Sequence, residues 1–196
     1  MERRVCSLSQ GVYRTHNVLS RLTNSCANNG QTTWTYNQGV IASGLAALAK
    51  ATGDSSLISE AEITLDATIR LKTVNNILKE TCDSATPTST CNNDQAMFKG
   101  IWMKHLQFYL DNAPDRASKY SSFIGSQESA VIHYGTGSEW TVGNVWYAPS
   151  QGGSLFTAQT QVRDSQPPAQ DAQATDTCVQ TSGLAAHVSA AKYGPC

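Results

Sequence analysis

Nowhere in the 196 residues does an apolar run approach the ~18–20 positions needed to span a membrane. The longest candidate, Val40 to Ala51, is interrupted by Ser43, Gly44 and Lys50. Charge of one sign is also missing. The formal net charge is −1, so there is no basic surplus to neutralise phosphates, and nucleic acid is not expected as a partner. Charged residues make up 15% and hydrophobic ones 40%, which excludes a highly charged disordered chain. Arg3-Arg4 is followed by no apolar segment, so no signal peptide is read here, and the last residues hold no hydrophobic tail. Asn-x-Ser/Thr is absent. So are Cys-x-x-Cys, zinc-spaced Cys/His clusters and a Gly-x-Ser-x-Gly elbow. Gly135-Thr136-Gly137 lacks the third glycine or Lys-Ser/Thr of a phosphate loop. Neither a metal nor a cofactor is therefore expected.

What is present is helical periodicity. Val40, Ile41, Gly44, Leu45 and Leu48 share one helix face behind the opening Trp34-Thr35-Tyr36-Asn37-Gln38-Gly39. Gly53 suits a left-handed C-terminal position, and Asp54 can cap a second helix carrying Ile58, Ala61, Leu65 and Ile69. Residues 74–93 read as an irregular excursion, with Val74 to Thr81 a short strand or extended arm. A second hairpin then begins, capped by Asn93-Asp94 and carrying Met97, Phe98, Ile101, Trp102, Leu106, Tyr109 and Leu110. Pro114 opens its return helix, which runs to about Ile132. Asn37 and Asp94, 57 residues apart, each introduce a helix-turn-helix, a period that suits a ring of αα-hairpins better than a short solenoid. Ser182 to Lys192 reads as a last amphipathic helix, with Leu184 and Val188 four apart.

Of six cysteines, Cys82 and Cys91 bracket a loop of turn formers, and a local disulfide closing it is expected in an oxidising compartment. His16, His105, His133 and His187 are scattered and assemble no triad. Glu80, Asp83, Asp94, Asp115 and Glu139 are the carboxylates in loops or at helix starts, and each reads first as a cap or a solvated charge. Sugar binding has a better basis. Pyranose rings offer apolar C–H faces to aromatic side chains, and planar amides then fix the hydroxyls. Trp34, Tyr36, Asn37 and Gln38 supply both kinds at one loop-to-helix junction. Trp140, Trp146 and Tyr147 add loop aromatics. The competing reading is that these rings simply pack loops onto helices.

Several motifs, in order, resemble one known family. They are Trp34-Thr35-Tyr36-Asn37-Gln38-Gly39, Ala51-Thr52-Gly53-Asp54, Ile77-Leu78-Lys79-Glu80-Thr81-Cys82, Cys91-Asn92-Asn93-Asp94 and Phe98-Lys99-Gly100-Ile101. Together they are similar to the C-terminal half of glycoside hydrolase family 76, the endo-α-1,6-mannanases, over residues 22–161 and 181–196. The resemblance implies an all-α fold of αα-hairpins forming part of an (α/α)6 barrel. It also implies retaining cleavage of α-1,6-linked mannan, or transfer onto it, in cell-wall polysaccharide metabolism, outside a fungal cell or in its wall. The family's catalytic pair is a tandem Asp-Asp, and no Asp-Asp occurs in this chain, so no catalytic residue is carried over. Substrate-binding positions carried over are Tyr36, Asn37 and Gln38, with Asp94, Phe98 and Lys99, of which Phe98 and Lys99 read equally as barrel packing and a surface charge; Trp34 joins them on its ring chemistry alone.

Two segments depart from the pattern. Residues 1–21 show no family-like sequence and are expected to stem from a misplaced start. Val162 to Gln180 interrupts a run expected to pass from Gln161 to Thr181. Valine codons begin with GT and a glutamine codon ends in AG, so 162–180 reads as a translated intron. The expected organisation is thus a non-family segment, 1–21, and a partial barrel domain, 22–196, with an insertion at 162–180. The expected function is that of an α-mannan glycosidase lacking its acid pair. The alternative is a non-catalytic carbohydrate-binding or helical interaction module.

Overall fold

The computed structural model describes residues 31–85, 90–136, 142–148 and 171–195, and only the backbone of 171–181. Within these, α1 (Thr35–Thr52) and α2 (Ser56–Leu71) form the first hairpin. Gly53 adopts φ 75°, where a side chain would be strained, and its N–H closes α1 onto Ala49. Asp54 accepts the Ser56 N–H at 3.0 Å, so the turn ends one helix and starts the next. The stretch read as a strand or arm is a two-residue-turn hairpin, β1 (Thr73–Val74) against β2 (Ile77–Leu78), with Asn75 and Asn76 both at positive φ. Gln127 pins it: its amide oxygen accepts from Leu78 N–H at 2.9 Å and its nitrogen donates to Asn76 at 2.8 Å.

The second hairpin pairs α3 (Asn93–Asn112) with α4 (Ala117–Ala130), joined by a 3-10 turn opened by Pro114. Asn92, rather than the expected Asn93-Asp94, caps α3. Its side chain accepts from Gln95 N–H while the Gln95 side chain accepts from Asn92 N–H, a reciprocal pair that needs an amide three residues on. α4 ends in a π-helical turn at Val131–Gly135. The last helix, α5 (Asp171–Tyr193), starts well before Ser182 and takes in part of the segment expected to be an insertion. The remainder of 162–180 and all of 1–21 lie outside the described residues.

Contacts fix the helix directions. Tyr36 meets Phe98, Gly39 meets Trp102, and Ser43 meets His105, so α1 and α3 run parallel. Gly100 meets Ser182 and Asp111 meets Lys192, so α3 and α5 are parallel too. α2 and α4 run antiparallel to them behind, bridged to each other by Lys119 with Glu62 and Asp66. Helices of one sense side by side, backed by helices of the other, are the arrangement expected of an arc of an (α/α)6 barrel; the described residues are all-α apart from the small hairpin.

Of the residues expected to face the core from α1, Leu45 is buried and Ile41 packs against the core, but Val40 and Leu48 do not. Thr35, Gln38, Gly39, Ala42, Leu45, Ala46 and Ala49 are buried, while Val40 is 43% and Leu48 47% exposed. The cause is close approach: α1 presents glycine and alanine to α3, and Trp102, fully buried, supplies the volume. α5 repeats this. Ser182, Gly183, Ala186, Ser189 and Ala190 are buried, while Leu184 is 60% and Val188 48% exposed. Gly100 is obligatory here, since a Cβ would sit 2.3 Å from the Ser182 Cα.

Candidate functional site

The parallel α1 and α3 place their N-termini at the same end of the arc, and the sequence-predicted rings meet there. Phe98 lies 5.3 Å from Trp34, edge to face, and 4.3 Å from Tyr36, tilted, between ring centroids. All three side chains are half-buried, as is Asn37 beside them. Asp94 is exposed in the first turn of α3. This is a partly open aromatic shelf with one amide and one carboxylate near its rim, a surface chemistry suited to a sugar ring.

Two predicted members are placed differently. Gln38 is buried on the α1–α2 side. Lys99 has no exposed surface: its Nζ pairs with Asp83 at 2.6 Å and donates to the Asn144 carbonyl at 2.7 Å. Neither side chain is exposed in this structure. Trp146, expected as a loop aromatic, is also fully buried, 5.2 Å beneath the Lys99 ammonium, and its ring N–H donates to Gly143. Tyr147 is half-buried with Lys79 5.1 Å from its ring. Trp140 and Glu139 lie outside the described residues.

Beneath the shelf is a sealed polar cluster that residue spacing did not reveal. Cys82 and Cys91 are joined, as expected, with their Cα atoms 4.9 Å apart. On either side of Cys82 stand Glu80 and Asp83, both buried rather than solvated. Asp83 receives Lys99, the Asn144 amide at 2.8 Å and the Glu80 N–H at 2.9 Å. Glu80 accepts both the N–H of Thr35, at 3.0 Å, and its hydroxyl, while its other oxygen, Oε2, has no hydrogen-bond partner among the described residues. Burial pushes the Glu80 carboxyl above its ordinary value, against the lowering pull of Thr35 and Lys99. The only sequence signal was indirect: two acidic residues flanking a half-cystine.

The cluster is not built for a metal. Cys82, Asp83 and Cys91 offer atoms within 4.8 Å of one another, but the sulphurs are bonded to each other and Asp83 is committed to Lys99. Glu80 and Asp83 have little or no exposed surface, and Asp115 pairs on the surface with Arg116. Next to the shelf, a pocket of about 230 Å³ is lined by Leu71, Lys72, Thr73, Lys79, Glu80 and Thr81. Lys72 reaches from it to the Thr33 carbonyl at 2.6 Å.

Comparison with known proteins converges on one family. The profile of Glycosyl hydrolase family 76 matches residues 9–175, a span that overlaps both segments expected to be foreign. Mannan endo-1,6-alpha-mannosidase DFG5 of Candida albicans is 28% identical over 129 residues, 65% of this chain and 28% of that protein. The Schizosaccharomyces pombe protein named "Putative mannan endo-1,6-alpha-mannosidase C1198.07c" is 31% identical over 130 residues, 64% of this chain and 29% of its own. The chain therefore spans less than a third of either relative's length. No solved structure matches it. The ordered motifs, the parallel helical arc and a profile match across most of the sequence agree: the chain belongs to glycosyl hydrolase family 76.

Proposed function

We propose that this chain forms one wall of an α-1,6-mannan cleft and binds mannan without cleaving it, the bond-breaking acid pair not being among its residues. The observation that carries this is the meeting of Trp34, Tyr36 and Phe98 at the shared N-terminal end of α1 and α3. The names of the relatives supply the polymer. Asn37 and Asp94 would serve the sugar hydroxyls. The tandem aspartate that the family uses does not occur in the sequence. The place of action on this reading is the exterior of a fungal cell or its wall, in keeping with a disulfide.

Titration of the purified chain with linear α-1,6-mannooligosaccharide, followed by calorimetry, tests it. Saturable binding that disappears in Tyr36→Ala, with no release of reducing ends, is the expected result. No binding would remove the sugar reading, and release of reducing ends would show that an acid pair is present after all. A second reading, a helical interaction module, is favoured by the exposed Val40, Leu48, Leu184 and Val188. Unchanged calorimetric heats with the sugar, together with self-association or capture of a partner lost on Leu48→Lys, would select it.

A further inference from the structure

We infer that Glu80 is a positioning residue for the aromatic shelf, acting through Thr35 from beneath it; its effect on sugar affinity rests on the mannan-binding reading above. The helix that carries Trp34 and Tyr36 has no cap of its own. Trp34 occupies the capping position without a side-chain hydrogen bond, and the first turn of α1 holds no acidic residue. A helix start exposes unpaired N–H groups and a partial positive charge, so it calls for an acceptor. Glu80 supplies it from 45 residues away, accepting both the N–H and the hydroxyl of Thr35, the residue between the two shelf aromatics. Thr35 and Glu80 are both fully buried.

The other half of the shelf is tied to the same loop. Asp83 binds Lys99, the residue after Phe98, and also accepts the Glu80 N–H at 2.9 Å. The two carboxylates that flank Cys82 thus grip the neighbours of Tyr36 and Phe98, and the disulfide closes the loop that bears Asp83, three residues beyond Glu80. The distance between the α1 and α3 rings is set by this brace as well as by the rings themselves. Glu80 is the member whose removal leaves the Asp83–Lys99 ion pair intact.

The experiment compares Glu80→Ala, which removes the acceptor, with Glu80→Gln, which keeps an amide oxygen at the same reach. Two readouts are taken on the full chain: mannooligosaccharide affinity by calorimetry, and NMR contacts between the Tyr36 and Phe98 rings. Glu80→Ala should lose those contacts and bind about tenfold more weakly, while Glu80→Gln should stay within about threefold of the parent. The Thr35 amide proton should move upfield in Glu80→Ala and much less in Glu80→Gln. Should Glu80→Ala fail to fold, Thr35→Val removes only the hydroxyl donor and is expected to weaken binding by about threefold. Lower thermal stability with unchanged affinity and unchanged ring contacts, in whichever variant folds, would overturn the inference. If the parent chain binds no sugar, the mannan reading fails, and the ring contacts alone decide the role of Glu80.

Discussion

Lys99 and Glu80 show what burial does to groups that sequence pattern places at the surface. Lys99 stands in a motif that resembles the family's, yet its ammonium is sealed against Asp83 and Asn144. Lys99→Met should cost about 3–5 kcal/mol, because Asp83 would be left charged and buried, and a urea unfolding midpoint measures it. Replacing both as Lys99→Met with Asp83→Leu should recover much of that loss. Glu80 gives a dependence on pH. Burial raises its folded value above the ordinary 4.5, so its ionisation works against folding. Stability tied to Glu80 is therefore full below that ordinary value and declines as pH rises through the raised folded one. The melting temperature of the parent relative to Glu80→Gln should fall as pH rises above about 4.5, and scanning calorimetry at stepped pH reads it. A flat difference would mean that Glu80 is not desolvated.

At the scale of elements, the helices were legible and their faces were not. Gly53, Pro114 and the spacing of Ala61 and Leu65 marked termini and the α2 core correctly, because these are local backbone and periodicity effects. Val40 and Leu48 on α1 and Leu184 and Val188 on α5 were misassigned because large apolar residues usually mark a core, whereas here small residues let helices approach. Gly100→Ala tests that account. Its Cβ would press on the backbone of α5 at Ser182, so α5 should loosen at a cost of about 1–3 kcal/mol or more, seen as faster amide exchange at 182–193. The Cys82–Cys91 loop, with a sequence separation of 9, should contribute about 2–3 kcal/mol. Reduction should lower the denaturation midpoint accordingly and weaken the shelf brace before the helices melt.

For the whole molecule, the informative feature is an arc with apolar side chains along its edges. Val40 and Leu48 on α1, with Leu184 and Val188 on α5, are far more exposed than the core they flank. Leu48→Lys with Leu184→Lys should leave unfolding free energy within about 0.5 kcal/mol and reduce light scattering at high concentration. The proposed partition of the chain, with 1–21 and 162–180 foreign to the domain, is decided by the mature transcript, which should lack the stretch encoding 162–180. The family profile overlaps both segments, so retention of that stretch would return it to the domain.

The sequence alone determined the helices, their turns, the disulfide and, through ordered motifs, the family, since each of these depends on residues near one another in the chain or on their order. Only the tertiary structure decided which residues face the aromatic shelf and which lie beneath it. Glu80 meets Thr35 and Lys99 meets Asn144 across 45 positions each, and whether a charge is solvated or sealed depends on what distant segments cover it.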